Sequence, residues 1–297
     1  MIVNRGNLST LYVAFNAAFN AGLGQAPSQY QRIATVVPST TKSNEYGWLG
    51  KLPSLREWVG ERVVHGLQNH GYTIKNKPYE LTVGVDKDDI EDDNLGIYSP
   101  LMQSMGESVG AQPDELTFAL LKNGISTACY DGQNFFDTDH PVLDQEGKET
   151  VQSSVDSGGS GAYWYLLCTK RALKPIIFQN RKPPQFVSMD TDTDEGVFNK
   201  KEFRYGVDCR RNVGFGFWQM AYASNKPLTE ENLQAAYTAF TSRRGDHGRP
   251  LGLVPDLLVC VPNDKFKAAK ILTANQIAGT DNVMKGVVEV MDSAWLL

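Results

Sequence analysis

The side chains that could do chemistry are few in this 297-residue chain, and their spacing serves no familiar reaction. There are four histidines. His65 and His70 stand five apart, whereas a helical zinc pair needs a separation of four. His140 closes the run Asp137-Thr138-Asp139-His140, which suggests a metal cluster at first sight. A turn whose aspartates cap backbone N–H groups explains the same residues more simply. Asp190, Asp192 and Asp194 alternate as in a calcium loop, but Glu195 stands where the sharp turn needs Gly. Lys201 likewise replaces the bidentate Glu, and only a residual calcium reading of 190–196 stays open. The six carboxylates of 86–93 read as a solvated acidic turn. Cysteines 129, 168, 209 and 260 form no CxxC pair, so they supply neither a zinc motif nor a disulfide framework. Free thiols made in a reducing compartment are expected. There is no GxSxG elbow, and the GGSG at 158–161 lacks the Lys and Ser/Thr of a phosphate loop. No catalytic, cofactor-binding or metal residue is assigned, no cofactor is called for, and an enzyme is not expected.

The elements around these residues describe a folded chain with ample core. Charged residues make up 21% and aromatics 10%, a composition outside the disordered range. The net charge of −5 argues against a basic nucleic-acid groove. The N-terminus lacks an apolar signal core, and no run reaches membrane-spanning length. Leu8, Leu11, Tyr12, Phe15, Ala18, Phe19 and Leu23 form one helical stripe over 7–23, which reads by amphipathicity alone as a helix packed on its own core, and otherwise as an arm laid on a neighbouring subunit. A long helix is expected over 98–128, weakened at Gly106 and Gly110 and restarting at Pro113 with Asp114 and Glu115 in a first turn. Alternation at Tyr79, Leu81, Val83 and Val85 predicts a half-buried strand. Further strands are expected at 163–168, 176–179, 213–218, 257–261 and near 287–290. Gly214 and Gly216 alternate with Val213, Phe215 and Phe217, so another group should lie close against the glycine face. Thr229 is the expected cap of a helix through Phe240, and Pro262-Asn263-Asp264 opens another. SSVDSGGSG at 153–161 reads as a flexible loop.

Long mixed runs carry a resemblance that no short motif could. DELTFALLKNG (114–124) and CYDGQNFFDTDHPV (129–142) are similar to the major head proteins of Mu-like phages, the gpT family. YGWLGKLPSLREWVGER (46–62), YTIKNKPYELTVGVDKDDIEDD (72–93), LKPIIFQNRKPPQF (173–186) and NVGFGFWQMAYAS (212–224) extend it over most of the chain. The resemblance implies an α+β fold of the Hong Kong 97 capsid type. It divides the chain into an N-terminal arm (1–35), an E-loop (42–80), a peripheral P domain (81–224) with its spine helix near 98–128, and an axial A domain (225–297). The last strand of the A domain is allowed to return to the P sheet.

The same resemblance implies self-assembly into hexamers and pentamers of an icosahedral shell around phage double-stranded DNA. The expected place is the virion, with assembly in the host cytoplasm. Expected partners are further copies of the chain, a scaffold protein, a portal and a decoration protein. DNA would be held non-specifically, and no membrane is involved. A start at Met1 with the arm following at once leaves no room for a long cleavable scaffolding segment, which is why a separate scaffold is expected. Trp48, Leu52, Leu55 and Trp58 are the expected E-loop anchors on a neighbouring copy, with Phe15 and Phe19 in the arm. Lys51 lies where shells of this fold can form a covalent cross-link, but no partner Asn is identifiable. The alternative is a protein nanocompartment shell of the same fold.

Overall fold

The computed structural model describes residues 5–47, 49, 71–92, 95–191, 193–277 and 279–297. The chain opens with helix α1 (Arg5–Gln25), a short α2 (Tyr30–Ile33) and strand β1 (Ala34–Pro38). Strands β2 (Ser43–Glu45) and β3 (Thr73–Lys75) pair antiparallel, and β4 (Lys77–Asp86) follows. After α3 (Lys87–Glu91) comes the long α4 (Tyr98–Lys122), then the hairpin of β5 (His140–Leu143) and β6 (Glu149–Gln152). Next are β7 (Val155–Asp156), β8 (Trp164–Leu167), β9 (Ile176–Met189), α5 (Glu195–Lys200), β10 (Glu202–Phe215) and β11 (Ala221–Ser224). The chain ends through α6 (Glu230–Thr241), β12 (Leu257–Cys260), α7 (Lys265–Thr273), the small pair β13 (Gln276–Ile277) and β14 (Thr280–Asp281), and β15 (Glu289–Asp292).

Two larger sheets organise these elements. The first has strand order β1-β9-β10-β4, with β1 parallel to β9 and the other pairs antiparallel. The second has order β15-β12-β8-β11-β7 and is mixed. All residues of β8, β11 and β12 are buried, as a strand covered on both faces requires. β15 pairs with β12 and so stays in this second sheet. Because β7, β8 and β11 share that sheet with β12 and β15, the expected boundary near 225 runs through a sheet and not between two.

Helix α4 runs unbroken through Pro113, contrary to the expected restart. Asp114 therefore has a different task. Its buried carboxylate accepts hydrogen bonds from the backbone N–H groups of Gln29 (2.9 Å) and Tyr30 (2.7 Å), capping α2 from across the molecule. Gly106 and Gly110, which weaken the helix by propensity, are where α1 crosses it. A Cβ at Gly106 would stand 2.0 Å from the Phe19 carbonyl oxygen, and one at Gly22 would stand 1.9 Å from that of Gln103. Only glycine lets the two backbones approach this closely. The loop expected to be flexible at 153–161 is pinned instead. Asn225 accepts from the Gly159 N–H at 2.8 Å and donates to the Gly159 carbonyl at 3.0 Å.

Candidate functional sites: a buried polar centre and the assembly surfaces

The turn after α4 folds Asp131 back onto the start of β5. Its Oδ1 accepts from the Gln133 N–H at 3.1 Å and from the Cys129 thiol at 3.0 Å. Its Oδ2 lies 2.7 Å from His140 Nδ1. The other ring nitrogen of His140 is 3.0 Å from Ser154 Oγ, and the ring stacks on Trp218 at 3.9 Å. His140 and Ser154 are both fully buried. The aspartates beside His140 in sequence are thus not the ones that reach it. Asp137 binds backbone and side-chain N–H groups of Asn134 and the N–H of Thr138, the capping role expected of it.

Ser154, His140 and Asp131 reproduce the connectivity of a hydrolase triad, but not its chemistry. A nucleophilic hydroxyl must face a substrate and a preformed oxyanion hole. Ser154 Oγ is enclosed instead, accepting from the Asp137 N–H at 3.0 Å with the Phe135 carbonyl 3.1 Å away. Burial pushes the Asp131 carboxyl up, yet the hydrogen bonds from His140 and Cys129 outweigh it and leave it below the usual range. Beyond Trp218 lies Arg243, fully enclosed, donating to the carbonyls of Gln219 (2.7 Å) and Ala221 (2.8 Å). Burial draws its guanidinium down to about 9, so it is still charged at neutral pH. Phe240 lies 4.9 Å beneath it and adds a cation–π contact.

Asp131, Ser154, Trp218 and Arg243 were not singled out from the sequence. Ser154 falls in the run read as a flexible loop, and no motif points to the other three. Nothing in local spacing joins them. The acidic segment at 86–92 forms α3, whose N-terminus is capped by Asp86 accepting from the Asp88 N–H at 2.8 Å. Asp194, part of the residual calcium reading, accepts from the Thr191 N–H at 2.9 Å. All four cysteines are buried and unpaired. No described helix is long and apolar enough to cross a membrane.

The hairpin β2–β3 is fixed to the first sheet. Buried Ile74 fits against Gly214, where an added Cβ would come within 2.3 Å of its Cδ1, as the alternating glycines implied. Tyr72 Oη accepts from the Phe215 N–H at 2.7 Å, and burial raises the phenol to about 12. Tyr46 donates to Gln179 Oε1 at 2.8 Å, and Gln179 donates to Asn76 Oδ1 at 2.8 Å. Trp48, Lys51, Leu52, Leu55 and Trp58 lie outside the described residues.

Phe15 and Phe19 lie inside their own subunit, the placement that amphipathicity alone favours. Each is 1% exposed and packs within its own subunit. Phe15 meets Tyr205 edge-on at 5.0 Å, and Phe19 lies 5.3 Å from Phe186. In this conformation neither side chain has surface left for a neighbour, because β9 and β10 already supply aromatic partners. Large apolar side chains that do face outward include Phe198 on α5 at 82%, Phe266 on α7 at 81% and Val13 on α1 at 63%.

A family model described as the Mu-like prophage major head subunit gpT matches residues 8–296. The chain belongs to that family. It is 45% identical over 306 residues to the major capsid protein of Escherichia phage Mu, covering all of both chains. It is 47% identical over 282 residues to the FluMu prophage major head subunit of Haemophilus influenzae, covering 93% of this chain and 91% of the relative. Its fold matches a subunit of the bacteriophage JBD30 procapsid with a TM-score of 0.87 and 49% identity, over 99% of this chain and 100% of that one. This head subunit is accordingly a structural capsid protein with the mixed α+β fold of Hong Kong 97-type shells, and not an enzyme. Its place is the virion capsid, and the nanocompartment alternative is not favoured.

Proposed function

We propose that this head subunit closes into rings of six and five copies that tile an icosahedral shell around phage double-stranded DNA. The end-to-end match to major head proteins carries this reading. A head-to-tail contact of this kind closes by rotation, so two different surfaces that complement each other suffice for each ring. The net charge of −5 suits a container that encloses DNA without gripping it. Assembly proceeds in the host cytoplasm with a separate scaffold protein, around a portal, and leaves an outer face for a decoration protein.

Trp48, Leu52, Leu55 and Trp58 are the anchors we assign to the E-loop, laid on an adjacent copy. Their support is residue type; the described residues flanking them, Tyr46, Tyr72 and Ile74, are held on the first sheet. The arm's contribution to a neighbour falls to the outer face of α1, where Val13 is exposed, since Phe15 and Phe19 are used internally. We assign the P domain to the first sheet with α4, and the A domain to the second sheet with α6 and α7. Electron microscopy of the purified protein tests the reading. Closed shells are expected, with Trp58→Ala lowering their yield and melting temperature. A stable monomer that never forms rings would overturn it.

A further inference from the structure

The cluster at the turn after α4 has a composition that its hydrogen bonds alone do not require. Cys129 Sγ, an Asp131 carboxylate oxygen and His140 Nδ1 all lie within 4.8 Å of one another. We propose that these three residues form a binding site for a divalent cation of the zinc class, with water as the fourth ligand.

The geometry supports this in three ways. First, zinc bonds of about 2.0–2.3 Å in a tetrahedron place ligand atoms about 3.2–3.7 Å apart. The thiol–carboxylate and carboxylate–imidazole distances of 3.0 and 2.7 Å open to that range by small side-chain rotations. Asp131 is the least enclosed of the three, its side chain 9% exposed, so the ion would reach the cluster past its carboxylate.

Second, the outer groups accept the tautomer that a metal needs. Ligation through Nδ1 puts the imidazole proton on Nε2, which then donates to Ser154 Oγ 3.0 Å away. Ser154 keeps the Asp137 N–H as donor and turns its own proton to the Phe135 carbonyl at 3.1 Å. Stacking on Trp218 holds the ring in place throughout.

Third, the charges close. A thiolate and a carboxylate together neutralise a dication, so the bound site carries no net charge into the interior. Binding releases the Cys129 proton to solvent, so affinity rises with pH. The bound ion would tie the 129–133 turn to the first residue of β5.

The test uses the full chain, stripped of metal and then dialysed against Zn²⁺ or titrated with Co²⁺. About one tightly held equivalent of Zn²⁺ per subunit is expected, with a thiolate-to-cobalt charge-transfer band and about one proton released per ion. Cys129→Ser keeps a donor to Asp131, so its fold is expected to survive, as circular dichroism will show. That variant should lose the band and weaken zinc at least tenfold. Absence of a stoichiometric ion and of the band in the unaltered chain overturns the proposal. So does a band of equal strength in Cys129→Ser, which would place the ion on another cysteine.

Discussion

The two main sheets of this subunit are covered to different extents. The second sheet is enclosed, with β8, β11 and β12 buried along their whole length. The first sheet is packed on one face by α1 and α4, while β4 at its edge and the distal part of β9 alternate between buried and exposed. Val187 and Met189 on β9 are about half exposed. A substitution in the second sheet is therefore felt inside the subunit, whereas the first sheet keeps exposed surface among the described residues. The α1–α4 contact belongs to the first unit yet is as tight as any core, since Gly22 and Gly106 bring backbone against backbone. The difference teaches that apolar side chains in an N-terminal helix do not by themselves mark an intersubunit arm. What matters is whether the body already offers them partners.

Five substitutions, one of them a control, would break or sharpen this contrast. Phe15→Ala should cost the unassembled subunit about 3–5 kcal/mol in denaturant unfolding, the range for an emptied aromatic core position. A cost below about 1 kcal/mol would mean that α1 is not held on its own subunit in solution. Gly106→Ala should cost about 1–3 kcal/mol or more by overpacking, because its Cβ meets backbone that cannot move aside. Gly24→Ala, which meets nothing within 4 Å, should be neutral or stabilising by up to about 1 kcal/mol, and serves as its control.

Asp131→Asn probes the enclosed region and should cost about 1–3 kcal/mol at neutral pH by weakening a buried polar network. Its pH dependence has a definite sign. The folded carboxyl lies below its ordinary value, so its contribution is complete above the ordinary value and is lost as pH falls through the lowered one. Acid unfolding curves of the variant should lack that loss. The smallest effect on folding is expected for Phe198→Ser, within about 0.5 kcal/mol, because the side chain is 82% exposed. If the outward-facing side chains serve assembly, this same change should lower shell yield, and unchanged yield would remove Phe198 from the contact surface.

Element types were legible wherever a period was long enough to read. The stripe of Leu11, Phe15 and Phe19 marked α1, alternation at Tyr79 to Val85 marked β4, and the run Leu257–Cys260 marked an enclosed strand. Thr229 caps α6 as its position implied, accepting from the Asn232 N–H. The family could also be read, because runs such as CYDGQNFFDTDHPV carry many independent residue choices at once. The polar centre could not, since Asp131, His140, Ser154 and Arg243 stand up to about a hundred positions apart and share no period.

Sequence by itself therefore determined the longer helices, several of the strands, the capsid family and the lack of a catalytic motif, since local propensity, apolar periodicity and long mixed runs are properties of neighbouring residues. Only the tertiary structure decided which partner each group takes. It turned Asp114 from a helix start into the cap of α2, gave Phe15 and Phe19 to their own subunit, and joined Cys129, Asp131, His140 and Ser154. The physical reason is that burial and hydrogen-bond satisfaction are settled between segments, by whatever surface happens to lie opposite.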